Sequence, residues 1–203
     1  WNRQDYSSEM FRKCLRMQVM DWNKPDTCDE PDDEIIIESF EGLDIEPIDW
    51  LWRSRIAKRT LTLLQGEPGQ GKSQVTIYMA SVISKGETFY DGAESEKGEV
   101  LFIFAEDDVK RTVLPRLKAQ DADMKNIHYL KKVVDKNGKN QLFDFYRYMD
   151  QLSIAAKKYK NLRMIVIDPI TAFLGKLDNN STGDVRSLMH HLKDIAEDLD
   201  CAM

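Results

Sequence analysis

Apolar residues fall along this chain in two alternating textures. Short continuous runs, Leu61–Leu64, Val100–Ala105 and Met164–Ile167, read as strands buried on both faces, and the stretches that follow them carry apolar residues at helical spacing. The pattern predicts strand 61–65, helix 72–84, strand 99–105, helix 108–119, strand 127–134, a turn at Asn137–Gly138, helix 141–159, strand 163–168 and helix 184–199. The last helix is the most regular, with Val185, Leu188, Met189, Leu192, Ile195, Ala196 and Leu199 three or four residues apart on one core-facing stripe. Strands alternating with helices predict an α/β fold, a mostly parallel sheet with helices on both faces.

The first 45 residues have a different texture. A short amphipathic piece, Phe11–Val19, is followed by an acidic stretch, Asp26–Glu34, set among Pro25 and Pro31, which is the composition of a linker. Ile35–Phe40 is expected to form a strand or an extended strap, and Trp50, Leu51 and Trp52 an apolar knot ahead of the core. The division expected is therefore an N-terminal arm over 1–45, leaving an upstream domain, and a core over 46–203. The chain starts at Trp1 and ends as an apolar run begins at Cys201, so it reads as a fragment cut before another strand.

Composition narrows the setting. With 203 residues and a 42% hydrophobic fraction, one α/β domain can bury a full core. No apolar run approaches the roughly 20 residues of a membrane span, and no signal peptide is visible. Cys14, Cys28 and Cys201 have no metal-ligand spacing and suit a reducing, cytoplasmic setting. A net charge of −6 argues against a surface that is basic throughout, so any DNA contact must be local. Lysines do cluster at Lys131, Lys132, Lys136 and Lys139 and at Lys157, Lys158 and Lys160, but such runs usually mark solvated faces, and no site is assigned to them.

The chemistry concentrates between the first strand and the first helix. Gly66-Glu67-Pro68-Gly69-Gln70-Gly71-Lys72-Ser73 is a complete phosphate-binding loop, with Gln74 following it into the helix. Glycines let successive backbone N–H groups turn toward phosphates, Lys72 brings a mobile charge to the β and γ oxygens, and Ser73 offers its hydroxyl to Mg²⁺. The positive end of the next helix adds to the attraction. A nucleoside triphosphate with Mg²⁺ is the ligand this loop predicts.

Two carboxylates complete the candidate site. Arg163–Asp168 is a buried-type strand ending in Asp168, placed like a Walker B strand to hold Mg²⁺, although an Asp there could also simply turn the chain into Pro169. Hydrolysis needs a group that polarises the attacking water, and Pro169 cannot supply it. Glu106, at the end of strand 99–105, is the candidate general base, with helix capping as its other reading. Asp107 and Asp108 read as caps of the next helix.

The phosphate loop, Phe104-Ala105-Glu106-Asp107-Asp108, Arg116-Leu117 with Ala119 and Asp121-Ala122-Asp123, and Ile167–Gly175 together resemble the RecA-like AAA ATPases of the RepA-type replicative helicases of plasmids, phages and mobile elements. Asp184-Val185-Arg186 and Ile48–Trp52 also resemble members of that group, so the likeness covers about residues 46–203. It implies a RecA-like P-loop fold, a homo-oligomeric, hexameric ring, ATP hydrolysis coupled to single-stranded DNA, and a catalytic Glu after the second core strand, where Glu106 stands. It also implies a γ-phosphate sensor, a further DNA loop and a basic residue acting in trans. None of these can be assigned in this chain, so the fragment alone is expected to hydrolyse ATP weakly. The loop Lys176–Gly183 occupies the position of a channel-facing segment in such motors, but it reads equally well as a polar loop in which Ser181 or Thr182 caps the next helix.

Two other classes fit the residues. One is a nucleotide-gated assembly module without DNA-coupled turnover. The other, a small-molecule kinase, would need an arginine-rich lid, and none stands out. Trp50 and Trp52 alternate and could stack on a base, though burial is the simpler reading, and the adjacent His190 and His191 point apart and form no metal pair.

Overall fold

The computed structural model describes residues 36–105, 107–175 and 182–203. Contacts divide the chain into two units, Trp1–Ile45 and Glu46–Met203. In the first, residues 36–45 form a single turn, Leu43 N–H donating to the Phe40 carbonyl, and no strand. Of the strand or extended strap expected over Ile35–Phe40, the strand does not form across 36–40, which have no ladder partner among the described residues. Ile35 lies outside them. Ile36, Ile37, Phe40 and Ile45 are exposed.

The second unit is built on a parallel sheet. Its elements in order are β1 (Trp50–Trp52), β2 (Ile56–Ala57), α1 (Lys72–Lys85), β3 (Glu99–Phe104), α2 (Leu114–Ala119), β4 (Ile127–Tyr129), β5 (Val133–Val134), β6 (Asn140–Gln141), α3 (Phe145–Ala156), β7 (Leu162–Asp168) and α4 (Thr182–Asp198). β3 lies between β4 and β7 and is parallel to both. Beyond β7, Ala202 bridges in parallel to Met164, and Met203 bonds to the backbone of Thr60 and Thr62.

Alternation along β3 explains the layers. Val100 and Phe102 face one side, where α1 contributes Ile77, Ala80 and Ile83. Leu101 and Ile103 face the other, where α3 contributes Phe145, Leu152 and Ala156 and α4 contributes Leu188 and Leu192. Both faces are covered, as continuous apolar strands require.

Several expected boundaries shift for physical reasons. Residues 61–65 form no strand: Thr62 N–H reaches the Met203 carbonyl, but among the described residues 63–65 have no backbone partner, and a strand needs a ladder. Strand 127–134 divides into β4 and β5, because β5 turns back through Asn137–Gly138 to pair antiparallel with β6. This hairpin takes Gln141 out of the expected helix 141–159, and α3 begins only after the Asp144 cap. Helix 108–119 opens as a π-helical turn, Val109–Val113. The last helix starts at Thr182, two residues earlier than expected. Among the described residues no helix is long and apolar enough to cross a membrane.

Candidate functional site

The phosphate loop spans the gap between residues 61–65 and α1. Gly69 and Gly71 have φ of +81° and +85°, and a Cβ built on either would meet nothing within 4 Å, so glycine here serves backbone conformation and leaves open space above the loop. Gly71 is the N-cap of α1, and the first helical turn holds no acidic residue to neutralise its positive end. Among the described residues the N–H groups of Gly69, Gly71, Lys72 and Ser73 have no backbone or side-chain acceptor. Free donors at a helix N-terminus can receive an anion, the role of an anion cradle.

The loop's own side chains are held close. Lys72 Nζ donates to the carbonyls of Gly66 at 2.7 Å and Glu67 at 3.0 Å. Gln70 Oε1 accepts the Glu67 N–H at 3.2 Å and folds back over Gly66. Lys72 is thus positioned by weak neutral acceptors rather than by a carboxylate, and a polyanion can draw it away.

The longest-range bond in the site joins the loop to β7. Ser73 Oγ donates to Asp168 Oδ2 at 2.6 Å, across 95 residues of chain. This brings together two hard oxygen donors at the mouth of the anion cradle, which suits Mg²⁺ bound together with phosphate. Thr76 Oγ1 donates to the Ser73 carbonyl at 3.0 Å and holds the first turn of α1. Lys72, Thr76 and Asp168 also border a groove of about 750 Å³ whose walls include Leu63, Leu64 and Val75.

The ends of β3 and β7 meet beside this pair. Phe104 is in register with Asp168, and Ala105 N–H donates to the Asp168 carbonyl at 3.2 Å. Glu106, the expected base, lies outside the described residues, as do Lys176–Ser181 of the following loop. Asp108 accepts the N–H groups of Lys110 at 2.9 Å and Arg111 at 2.8 Å, the capping role expected of it. Asp107 has no such bond among the described residues. Trp52 is buried and stacks on Phe89 with centroids 4.3 Å apart.

One group near the site escaped the sequence reading. Asp144 is buried, caps α3 through Arg147 N–H at 2.9 Å and pairs with the Arg147 guanidinium at 2.6 Å. A Cβ on Gly175 (φ +63°) would lie 2.8 Å from the Asp144 carboxyl carbon, so the chain leaving β7 passes tightly over this cap. An Asp directly before an apolar-periodic run is an N-cap signal, and the expected helix 141–159 runs through it.

No curated protein matches the chain. The AAA domain family matches residues 25–203. With its phosphate loop, its Ser73–Asp168 pair and its parallel sheet covered on both faces, the chain belongs to the AAA domain family of P-loop NTPases.

Proposed function

We propose that residues 46–203 form the ATP-hydrolysing motor core of a RepA-type ring helicase that acts on single-stranded DNA during replication of a plasmid, phage or mobile element, with residues 1–45 as an arm. The observation that carries the ATPase reading is the 2.6 Å bond between Ser73 and Asp168, which unites the loop and the strand-end carboxylate at one sheet edge. The helicase reading rests on the combined motifs over Gly66–Ser73, Phe104–Asp108 and Ile167–Gly175.

In this reading the residues divide the work. Within the loop Gly66–Ser73 the unbonded N–H groups of Gly69, Gly71, Lys72 and Ser73, with Gln74 behind them, bind the phosphates. Lys72 exchanges its two carbonyl partners for phosphate oxygens, at little cost because both are neutral and exposed. Ser73 and Asp168 hold Mg²⁺, which when bound with ATP neutralises charge on the transferring phosphoryl group. Glu106 follows Ala105, whose N–H rests on the Asp168 carbonyl, and its carboxylate orients the attacking water and takes its proton.

The test is ATP turnover by the complete protein with and without single-stranded DNA, beside Glu106→Gln. The expected result is stimulation by DNA and at least a tenfold loss of turnover in the variant, with ATP binding kept. Unchanged turnover in the variant would place the base elsewhere. Turnover indifferent to DNA would overturn the helicase reading and favour a nucleotide-gated assembly module.

A further inference from the structure

The lysine cluster that the sequence left without a role has a defined place in the fold. β4 runs parallel to β3, and β3 to β7, so all three end at the edge that carries Asp168. Leu130 N–H still bonds to the Phe102 carbonyl, and the chain then enters the β5–β6 hairpin at Lys131. Lys131, Lys132, Lys136 and Lys139 are all exposed. Among the described residues none of them has a carboxylate partner, whereas Lys58, Lys85, Lys97, Lys157 and Lys193 do.

Residues 131–141 hold four lysines and one carboxylate, Asp135, a local charge of +3 in a chain of −6. Asp135 works inside the turn, accepting the N–H groups of Asn137 and Lys139 and the Gln141 amide, each at 2.9 Å. The hairpin is therefore a stiffened arm that presents cations. Exposed apolar and aromatic groups flank it in the chain: Tyr129 before it, Leu142 and Tyr146 after it.

The hairpin is also tied to the nucleotide edge. Phe143 and Phe145, which follow it, pack on Phe173 with centroids 5.7 and 6.1 Å away, and Phe173 is five residues past Asp168. Gly175 presses on Asp144, which caps the helix the hairpin leads into. A movement of the segment after Asp168 thus meets the base of the hairpin through close packing rather than through solvent.

The geometry points to the β5–β6 hairpin, with Lys131, Lys132, Lys136 and Lys139, as a contact surface for single-stranded nucleic acid, keyed to the nucleotide site through the Phe143–Phe173 and Asp144–Gly175 contacts. Charge complementarity selects a polyanion. Aromatic neighbours that can stack on unpaired bases select a single strand over a duplex. This rests on the single-stranded DNA reading proposed above, and adds which surface does the binding.

The experiment measures the affinity of the full chain, with magnesium and a non-hydrolysable ATP analogue, for a fluorescent oligo-dT across a salt series. The variant carries K131E, K132E, K136E and K139E. The control carries K157E, K158E and K160E, which lie just before β7 at the opposite edge of the sheet. A second variant with glutamine at the four hairpin positions guards against misfolding by charge reversal, and a thermal melt accompanies each.

The expected result is at least a tenfold loss of affinity in both hairpin variants. The slope of log K against log salt should flatten by about 3, from four phosphate contacts at ~0.7 each. The control should stay within twofold of the parent, and binding of the ATP analogue should be unchanged in all. Equal losses in hairpin variant and control would overturn the assignment in favour of diffuse electrostatics. Binding by the parent that the folded hairpin variants retain would overturn it while leaving the helicase reading intact. No binding by the parent would take both down together.

Discussion

The two edges of the sheet handle polar groups in opposite ways. At the amino edge nearly every strong polar group is answered from within the chain. Lys58 is buried between Glu96 at 2.9 Å and Asp49 at 3.3 Å; the Asn161 amide donates to the Lys97 carbonyl at 2.9 Å; His128 meets Glu99 at 3.0 Å. At the carboxyl edge the N–H groups of Gly69, Gly71, Lys72 and Ser73 have no acceptor among the described residues, Lys72 rests on carbonyls, and the hairpin lysines face solvent. Exposed groups with no partner in the chain are already solvated and are free to be taken by a ligand, whereas buried ones must be paired from within. The amino edge holds the fold; the carboxyl edge is built for something that arrives.

The comparison can be tested by damage placed in the core, at the carboxyl edge and at the amino edge in turn. The largest effect is expected from Trp52→Ala, which removes a ring that is 5% exposed, stacks on Phe89 and meets Tyr90 edge-on at 5.6 Å. The loss should be about 3–5 kcal/mol, read from denaturant unfolding. A loss below about 1 kcal/mol would mean that the aromatic knot is not part of the stabilising core. Next comes Lys72→Ala. It should weaken ATP binding at least a hundredfold by calorimetry while leaving the melting temperature within a few degrees, because Lys72 contacts only two exposed carbonyls. Intact affinity would remove Lys72 from the phosphate site.

Gly98→Ala should be intermediate and purely structural. A Cβ there would sit 2.7 Å from the Asn161 carbonyl and against the Arg163 side chain, and the backbone carbonyl cannot swing aside as a flexible side chain can. The expected cost is about 1–3 kcal/mol of stability. ATP affinity measured well below the melting transition should match the parent. A loss of nucleotide affinity in the folded variant would show that the two edges are coupled and that the division drawn between them is wrong.

How much was legible in the sequence follows the same division. The loop Gly66–Ser73 and the run Arg163–Asp168 were readable because their chemistry is local: a spacing of glycines, or an apolar run ending in one carboxylate. The register that sets Phe104 beside Asp168 and the bond from Ser73 to Asp168 depend on the sheet being assembled, so a pattern could suggest them but not measure them. Residues 61–65 read as a strand from composition alone, yet a strand also needs neighbours, and among the described residues Thr62 alone of the five finds one, at Met203. The hairpin was missed because β5 and β6 have two residues each, too short for any period to register. The turn at Asn137–Gly138 was seen, with Gly138 at φ +78°, but what it joined was not.

The smallest expected effect tests burial at the joint between α4 and the sheet. Cys201 is fully buried, and burial first, with nearby Asp200 second, pushes its thiol up to about 12. In the unfolded chain a thiol ionises near its ordinary value of about 8.5. The raised native value means the thiol's contribution to stability is complete below about pH 8.5 and drains away as pH rises toward 12, because only the unfolded chain releases the proton in that window. Unfolding midpoints followed from pH 7 to 10 should therefore fall more steeply for the parent than for Cys201→Ala, which has no proton to release. Parallel curves would mean that the thiol is solvated in the native state, and that the bridge from Ala202 to Met164 opens often enough to let water in.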